Sequence, residues 1–255
     1  MPSLLKSAIY KVAEAFLPAG VARKISDEPI RLPAKFARYY PSDYEPQTFH
    51  FLRSACKPGM TVVDIGGHLG LFAVTCARRV SPTGKVFTFE PTARLREVLQ
   101  SVLSLNGVDK LVEAREEAIA EKDGTAQFFD TGDEASNANS LVSTARGKSS
   151  TPVKVRSLDS LVADQTIRSV DVIKIDAEGA ELGVLRGGRN TLQRFKPQIY
   201  LSLHPRSIQA AGETLEQIWN EIETAKYRVV LARKQLVKAE FCSHTDLFEV
   251  ELYAG

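Results

Sequence analysis

From Thr61 onward, short β-branched runs alternate with longer amphipathic stretches, and this order leaves few folds open. Thr61–Ile65 reads as a buried strand closed by Gly66-Gly67. Leu69–Val80 carries a helical period that ends at the turn Ser81-Pro82-Thr83-Gly84. Lys85–Glu90 reads as a second strand, Pro91 opens a helix to about Leu105, and Asn106-Gly107 caps it. A third strand follows near Leu111–Ala118. Asp123-Gly124 is a hairpin signal ahead of a strand at Thr125–Phe129. Val153–Val155, Asp171–Asp176, Gln198–Leu203, Arg228–Leu231 and Leu247–Leu252 supply the remaining strands, with helices after Gly179 and Thr214. The alternation predicts an α/β fold: a mostly parallel open sheet, helices on both faces, and an antiparallel strand at the end.

Two stretches break the pattern. Thr131–Ser150 is almost wholly small or polar, with Leu141 and Val142 as its large apolar residues, and reads as a mobile loop long enough to be a lid. Residues 1–40 form an N-terminal extension with seven basic residues against three acidic ones. In it Leu4, Leu5, Ala8, Ile9, Val12 and Phe16 recur at helical spacing until Pro18 and Gly20. Lys6, Lys11 and Glu14 interrupt any secretory core, so the segment reads as a helix docked on the main domain at 41–255. Contact with an anionic membrane surface and a homodimer contact are its other possible uses.

Composition removes whole classes of function. Thirty-three Lys and Arg against thirty-one Asp and Glu leave +2, too little for a dedicated nucleic-acid binder. No apolar run approaches the roughly 20 residues that span a bilayer. Cys56, Cys76 and Cys242 have neither disulfide nor zinc spacing, so a cytoplasmic protein is expected.

The turn Asp64-Ile65-Gly66-Gly67-His68-Leu69-Gly70 lies where an open α/β sheet collects ligands. A dinucleotide fingerprint needs glycine at positions 66, 68 and 71, and His68 and Leu71 exclude it; a nicotinamide-dependent oxidoreductase is therefore disfavoured. No Gly-Lys-Ser/Thr follows, so no phosphate loop is present. Glu90 ends the second strand about 20 residues beyond Gly70, where an acidic residue takes the two ribose hydroxyls of a nucleoside. Asp64 and Glu90 without a pyrophosphate cradle point to S-adenosylmethionine (SAM).

Asp64-Ile-Gly-Gly-His-Leu-Gly70, Phe89-Glu90-Pro91 and the run from Asp171 through Lys174-Ile-Asp176-Ala-Glu178-Gly-Ala-Glu181 to Gly187 together resemble the FkbM family of SAM-dependent methyltransferases. The resemblance spans roughly Tyr44 to His204 and includes Tyr44-Glu45-Pro46. It implies a Rossmann-like class I methyltransferase fold: an open seven-stranded sheet, mostly parallel, with an antiparallel last strand. It also implies methyl transfer to a hydroxyl of a sugar, glycan or other secondary-metabolite acceptor. By that resemblance Asp64, Gly66 and Glu90 bind the cofactor, and Gly67, His68, Gly70, Asn106, Glu117, Ala118 and Asp176 complete its expected contacts. Asn106 reads equally as a helix cap. Glu45 and Glu178 are assigned to the acceptor. Many members carry an acid two positions before the His of the fifth strand, where this chain has Ser202, so a Glu–His pair is not expected.

Methyl transfer from a sulfonium is an in-line displacement and depends mainly on orientation. An alcohol loses its proton during attack, so a base or a metal ion helps. Asp176 and His204 end neighbouring strands and form the expected catalytic pair, with His204 as base and Asp176 orienting the acceptor or the imidazole. Glu178 and Glu181 also read as helix-start charges. Lys174 shares a strand face with Asp176 and should pair with Asp64 or Glu178. Asp176 and Glu178 lack a third ligand within 186–203, so no metal is expected; a magnesium-dependent O-methyltransferase is the alternative mechanism. A catalytically inactive SAM-fold binding module is the alternative function.

Overall fold

The computed structural model describes residues 17–132, 139–143 and 149–255. The expected helix over Leu4–Phe16 lies outside the described residues. The chain then enters a hairpin of β1 (Val21–Ile25) and β2 (Glu28–Leu32). In β2 the residues Glu28, Ile30 and Leu32 are buried and alternate with exposed Pro29 and Arg31, a two-residue period that buries one face. Ile25, Ile30 and Leu32 pack with Phe49, Leu52 and Leu103. The described part of the 1–40 extension is thus a strand pair built into the main core.

The central sheet contains β3 (Thr61–Ile65), β4 (Lys85–Phe89) and β5 (Val112–Arg115). The strand expected at 111–118 stops there, and β6 (Ala118–Ile119) turns into a separate three-stranded sheet with β7 (Gly124–Asp130) and β8 (Ser149–Arg156). The expected strand at Val153–Val155 therefore belongs to this side sheet. β9 (Val172–Ile175), β10 (Gln198–Leu203), β11 (Tyr227–Leu231), β12 (Lys234–Gln235) and β13 (Phe248–Ala254) complete the main one. Its order is β12-β11-β13-β10-β9-β3-β4-β5, eight strands rather than seven, because the two-residue β12 pairs back on β11. β13 runs antiparallel between β10 and β11, as expected.

Both faces of the parallel strands are covered, which is why they read as continuous apolar runs. Val62, Val86 and Val172 face the helices Pro46–Ala55, Leu71–Val80 and Ala93–Leu105. Val63, Phe87 and Ile173 face the other side, against Leu182, Leu185, Leu192 and Ile218. From β3 the chain winds to β4 and β5, whereas β9 and β10 lie on its opposite flank. The switch point between β3 and β9 opens a crevice at their carboxyl ends. There the two strand ends approach so closely that a Cβ on Gly66, at φ +82°, would lie 2.1 Å from the Asp176 carbonyl oxygen. Only glycine fits. No described helix is long and apolar enough to cross a membrane.

Candidate active site

A cavity occupies this crevice. Its walls include Gly66, Gly67, His68 and Glu90 from the first two strand ends, Ala118 and Ile119 from β6, and Asp176 and Ala177 from the end of β9.

Glu90 anchors one end. Its side chain is almost fully buried; Oε2 accepts the backbone N–H of His68 at 3.0 Å and Oε1 that of Thr92 at 2.8 Å. Burial nevertheless pushes its carboxyl up to about 7, against the pull of those hydrogen bonds. His68 reaches this position through a left-handed backbone, φ +46°, and its Nδ1 shares a hydrogen bond with the Tyr40 hydroxyl at 3.1 Å. The His68 main-chain N–H is thus taken up by Glu90. Gly67 faces Thr88 so closely that a Cβ would lie 2.1 Å from its hydroxyl oxygen.

Asp64 takes a different place from the one expected. In register, Asp64 lies beside Thr88 of β4 and Lys174 of β9. It is fully buried beneath the turn, outside the cavity wall. Oδ2 accepts from the Thr88 hydroxyl at 2.9 Å, and Oδ1 lies 3.6 Å from Lys174 Nζ. Asp64 thus supports the glycine turn rather than facing a ligand. Lys174 donates to the Gly66 carbonyl at 3.0 Å and stands 3.4 Å from Asp176 Oδ2, so its partners are Asp64 and Asp176 and not Glu178. Burial works against its charge, but the carboxylates of Asp176, Asp64 and Glu45 outweigh burial and hold the ammonium well above its ordinary range.

Three more expected cofactor residues stand outside the wall. Asn106 ends the Ala93–Leu105 helix; its Oδ1 accepts from Arg31 N and its Nδ2 donates to Arg31 O, tying the helix to β2. Glu117 turns to Arg115, whose Nη2 donates to it at 2.8 Å. Gly70 caps the Leu71–Val80 helix at φ +82° and lies against Leu99. Each was a polar or glycine residue at an element end, and each has a packing partner that explains it.

Behind Asp176 at the far wall stands His204, which like Glu178 is beside the cavity and not itself a wall residue. Its Nδ1–H donates to Glu181 Oε1 at 2.8 Å, and Glu181 is fully buried. A Glu–His pair is therefore present. The acid comes from the start of the Glu181–Gly187 helix instead of from position 202; Glu181 is the helix-start charge expected, and it is fully buried against His204. His204 Nε2 lies 3.6 Å from Asp176 Oδ1 and 3.4 Å from Glu178 Oε2. Burial favours the neutral ring, but the Glu181 hydrogen bond and the three carboxylates override it and push the imidazole up to about 9. Such a ring is charged at neutral pH and cannot accept a proton until it has lost one.

Glu45 enters the cavity wall from a left-handed residue, φ 41°, ahead of the Pro46–Ala55 helix. Burial, reinforced by Asp176, raises its carboxyl above the usual range. Tyr40, Tyr44 and Phe72 complete that side; Tyr44 belongs to the Tyr44-Glu45-Pro46 run, whereas no local motif marked Tyr40 or Phe72. Within the expected lid, 133–138 and 144–148 lie outside the described residues. Asn139 and Leu141 line the cavity, and the Ser140 hydroxyl donates to the Glu178 carbonyl at 2.8 Å. The described stretch 139–143 is docked on the site through Asn139, Ser140 and Leu141.

The model of the FkbM methyltransferase domain matches residues 64–229. The chain belongs to the FkbM methyltransferase family. It is 25% identical over 215 residues to the AMB antimetabolite synthetase AmbE of Pseudomonas aeruginosa, covering 71% of this chain and 10% of that protein. It is 28% identical over 154 residues to the methyltransferase sdnD of Sordaria araneosa, covering 49% of this chain and 59% of that protein. The chain thus spans about a tenth and about three fifths of these curated relatives. The crystal structure of an FkbM methyltransferase from Methylobacillus flagellatus superposes with a TM-score of 0.51 at 16% identity, over 82% of this chain and 51% of that one. The fold is the class I SAM-methyltransferase fold.

Proposed function

We propose that this FkbM-family protein transfers a methyl group from SAM to a hydroxyl of a sugar, glycan or other secondary-metabolite acceptor. In this reading the ribose hydroxyls sit on Glu90, the amino-acid part of the cofactor lies over Gly66-Gly67, and the sulfonium points toward Asp176. The acceptor hydroxyl enters beside Asp176, Glu178 and His204. Its oxygen forms the new C–O bond as the C–S bond breaks and the electron pair stays on sulfur. The observation that carries the reading is the separation of tasks about one cavity: the buried Glu90 carboxylate in one wall and Asp176 in the other, with His204 and Glu178 just behind Asp176. Such a cluster suits a nucleophile that sheds a proton, which an alcohol must do and a neutral amine can do after attack.

The test is incubation with methyl-labelled SAM and a panel of sugars, glycans and polyketide alcohols, followed by mass spectrometry. A labelled methyl ether together with S-adenosylhomocysteine is the expected product. Labelling confined to nitrogen or carbon nucleophiles would overturn the reading.

A further inference from the structure

We propose that Asp176, Glu178 and His204 form a binding site for one divalent cation of the Mn²⁺–Zn²⁺ type, and that this cation takes the acceptor hydroxyl as a ligand. The inference rests on the O-methyl-transfer reading and says how the hydroxyl is activated.

The two ring nitrogens of His204 are treated differently. Nδ1 closes to 2.8 Å on Glu181, an ordinary length for a charge-assisted hydrogen bond. Nε2 meets two carboxylates at once and closes on neither, standing 3.4 Å from Glu178 Oε2 and 3.6 Å from Asp176 Oδ1. The three donor atoms all lie within 4.8 Å of one another. Ligands bound at about 2.1 Å sit about 3.0–3.5 Å apart at right-angled to tetrahedral geometry, so the 3.4 and 3.6 Å separations are close to that spacing and a small inward turn of the side chains would close the set on one small cation. Asp176 divides its oxygens: Oδ2 stands by Lys174 at 3.4 Å, and Oδ1 is the atom turned to the cluster.

Glu181 supplies an independent reason. A metal-bound imidazole typically donates its other N–H to a carboxylate, which fixes the tautomer and the ring plane. Glu181 is fully buried and comes from a different element than Asp176, and it makes that contact at Nδ1. The side chains of Asp176, Glu178 and His204 are 18%, 14% and 14% exposed, so an ion can enter and keep open positions. One imidazole with two carboxylates favours a borderline dication over calcium. On such an ion the hydroxyl loses its proton to solvent water, and the oxygen attacks the methyl carbon with departure of the thioether.

Mn²⁺ binding to the full chain, with S-adenosylhomocysteine present, can be followed by the electron paramagnetic resonance of the free ion. One Mn²⁺ per chain is expected. Glu178→Gln and His204→Ala should abolish that binding, and Glu181→Gln should weaken it about 10–100-fold. SAM affinity by calorimetry reports that each variant is folded. No stoichiometric Mn²⁺ binding, or binding unchanged in Glu178→Gln and His204→Ala, overturns the site. Methyl ether formation that continues undiminished in chelator overturns the cation while leaving the O-methyltransferase reading intact; absence of any methyl ether with Mn²⁺ supplied overturns both.

Discussion

At the proposed nucleoside end of the cleft Glu90 is held by two backbone N–H groups, whereas at the proposed acceptor end His204 closes on Glu181 through Nδ1 and leaves Nε2 between Asp176 and Glu178 without closing on either. Glu90 holds two backbone N–H groups and Asp64 holds the Thr88 hydroxyl. Asp176 and Glu178 instead flank His204 Nε2 at separations too long for hydrogen bonds. The first arrangement is a preformed bed, which in the proposed reading receives a cofactor that arrives already activated. In the proposed reading the second gathers charged groups where the acceptor sheds its proton, which is where an enzyme gains most from preorganised electrostatics. Lys174 joins the two, with Nζ on the Gly66 carbonyl and beside both Asp64 and Asp176.

If the two ends are separate, removing His204 should injure chemistry alone. His204→Ala is expected to lower methyl-ether formation by about 10²–10⁴-fold while the SAM dissociation constant stays at the wild-type value. Parallel loss of turnover and SAM affinity would break the division.

Lys174 offers the opposite experiment, because it should injure both ends. Its side chain is almost fully buried, and Lys174→Met leaves Asp64 and Asp176 facing each other without a cation. Removing one partner of a buried ion pair costs about 3–5 kcal/mol. Urea unfolding at neutral pH should show that loss, with a midpoint shift and an unchanged slope. A fully stable Lys174→Met protein would mean that the carboxylates are neutral or hydrated.

The sequence exposed the nucleoside end well, because its parts are contiguous: a strand, a glycine turn and a helix, with Glu90 one strand further on. The order of the parallel strands was equally readable from buried β-branched runs. Asp64 was misplaced because alternation along β3 turns it toward the Val62 side, beside Thr88 and Lys174, and register is a property of three strands at once. Glu181 escaped because its partner lies 23 residues away and on another element. The hairpin at β1 and β2 was visible as Glu28-Pro-Ile-Arg-Leu32 alternation, but the apolar repeat before it drew the whole extension into a helical reading.

Glu90 sharpens the comparison through pH. Its carboxyl is pushed up to about 7 in the folded protein by burial and returns to about 4.3 on unfolding. Between those values the folded state holds a proton that the unfolded state has released. Ligand-free stability should therefore fall as pH rises from about 4.5 through 7, with about 2–3 kcal/mol of that slope due to Glu90. Glu90→Gln should remove this part of the slope and weaken SAM binding by about 1–3 kcal/mol. Chemical denaturation from pH 4.5 to 8, wild type against variant, is the measurement. Identical slopes would place the Glu90 titration elsewhere.

The smallest expected effect separates a support from a contact. Asn106 lies at a helix end that resembles a cofactor position, yet its side-chain hydrogen bonds go to Arg31, Arg78 and Val102, none of which lines the cavity. Oδ1 accepts from Arg31 N at 3.0 Å and Arg78 Nη2 at 2.9 Å; Nδ2 donates to Arg31 O at 2.8 Å and Val102 O at 2.7 Å. Asn106→Ala unties the hairpin from the Ala93–Leu105 helix. The bonds are partly open to water, which replaces some of what is lost, so the cost should be about 1–2 kcal/mol in thermal or urea unfolding. SAM affinity should not change, because the helix is also held by Leu95, Leu99 and Leu103 in the core. A variant with wild-type stability and weakened SAM binding would return Asn106 to the cofactor and extend the nucleoside end beyond the Gly66–Glu90 bed.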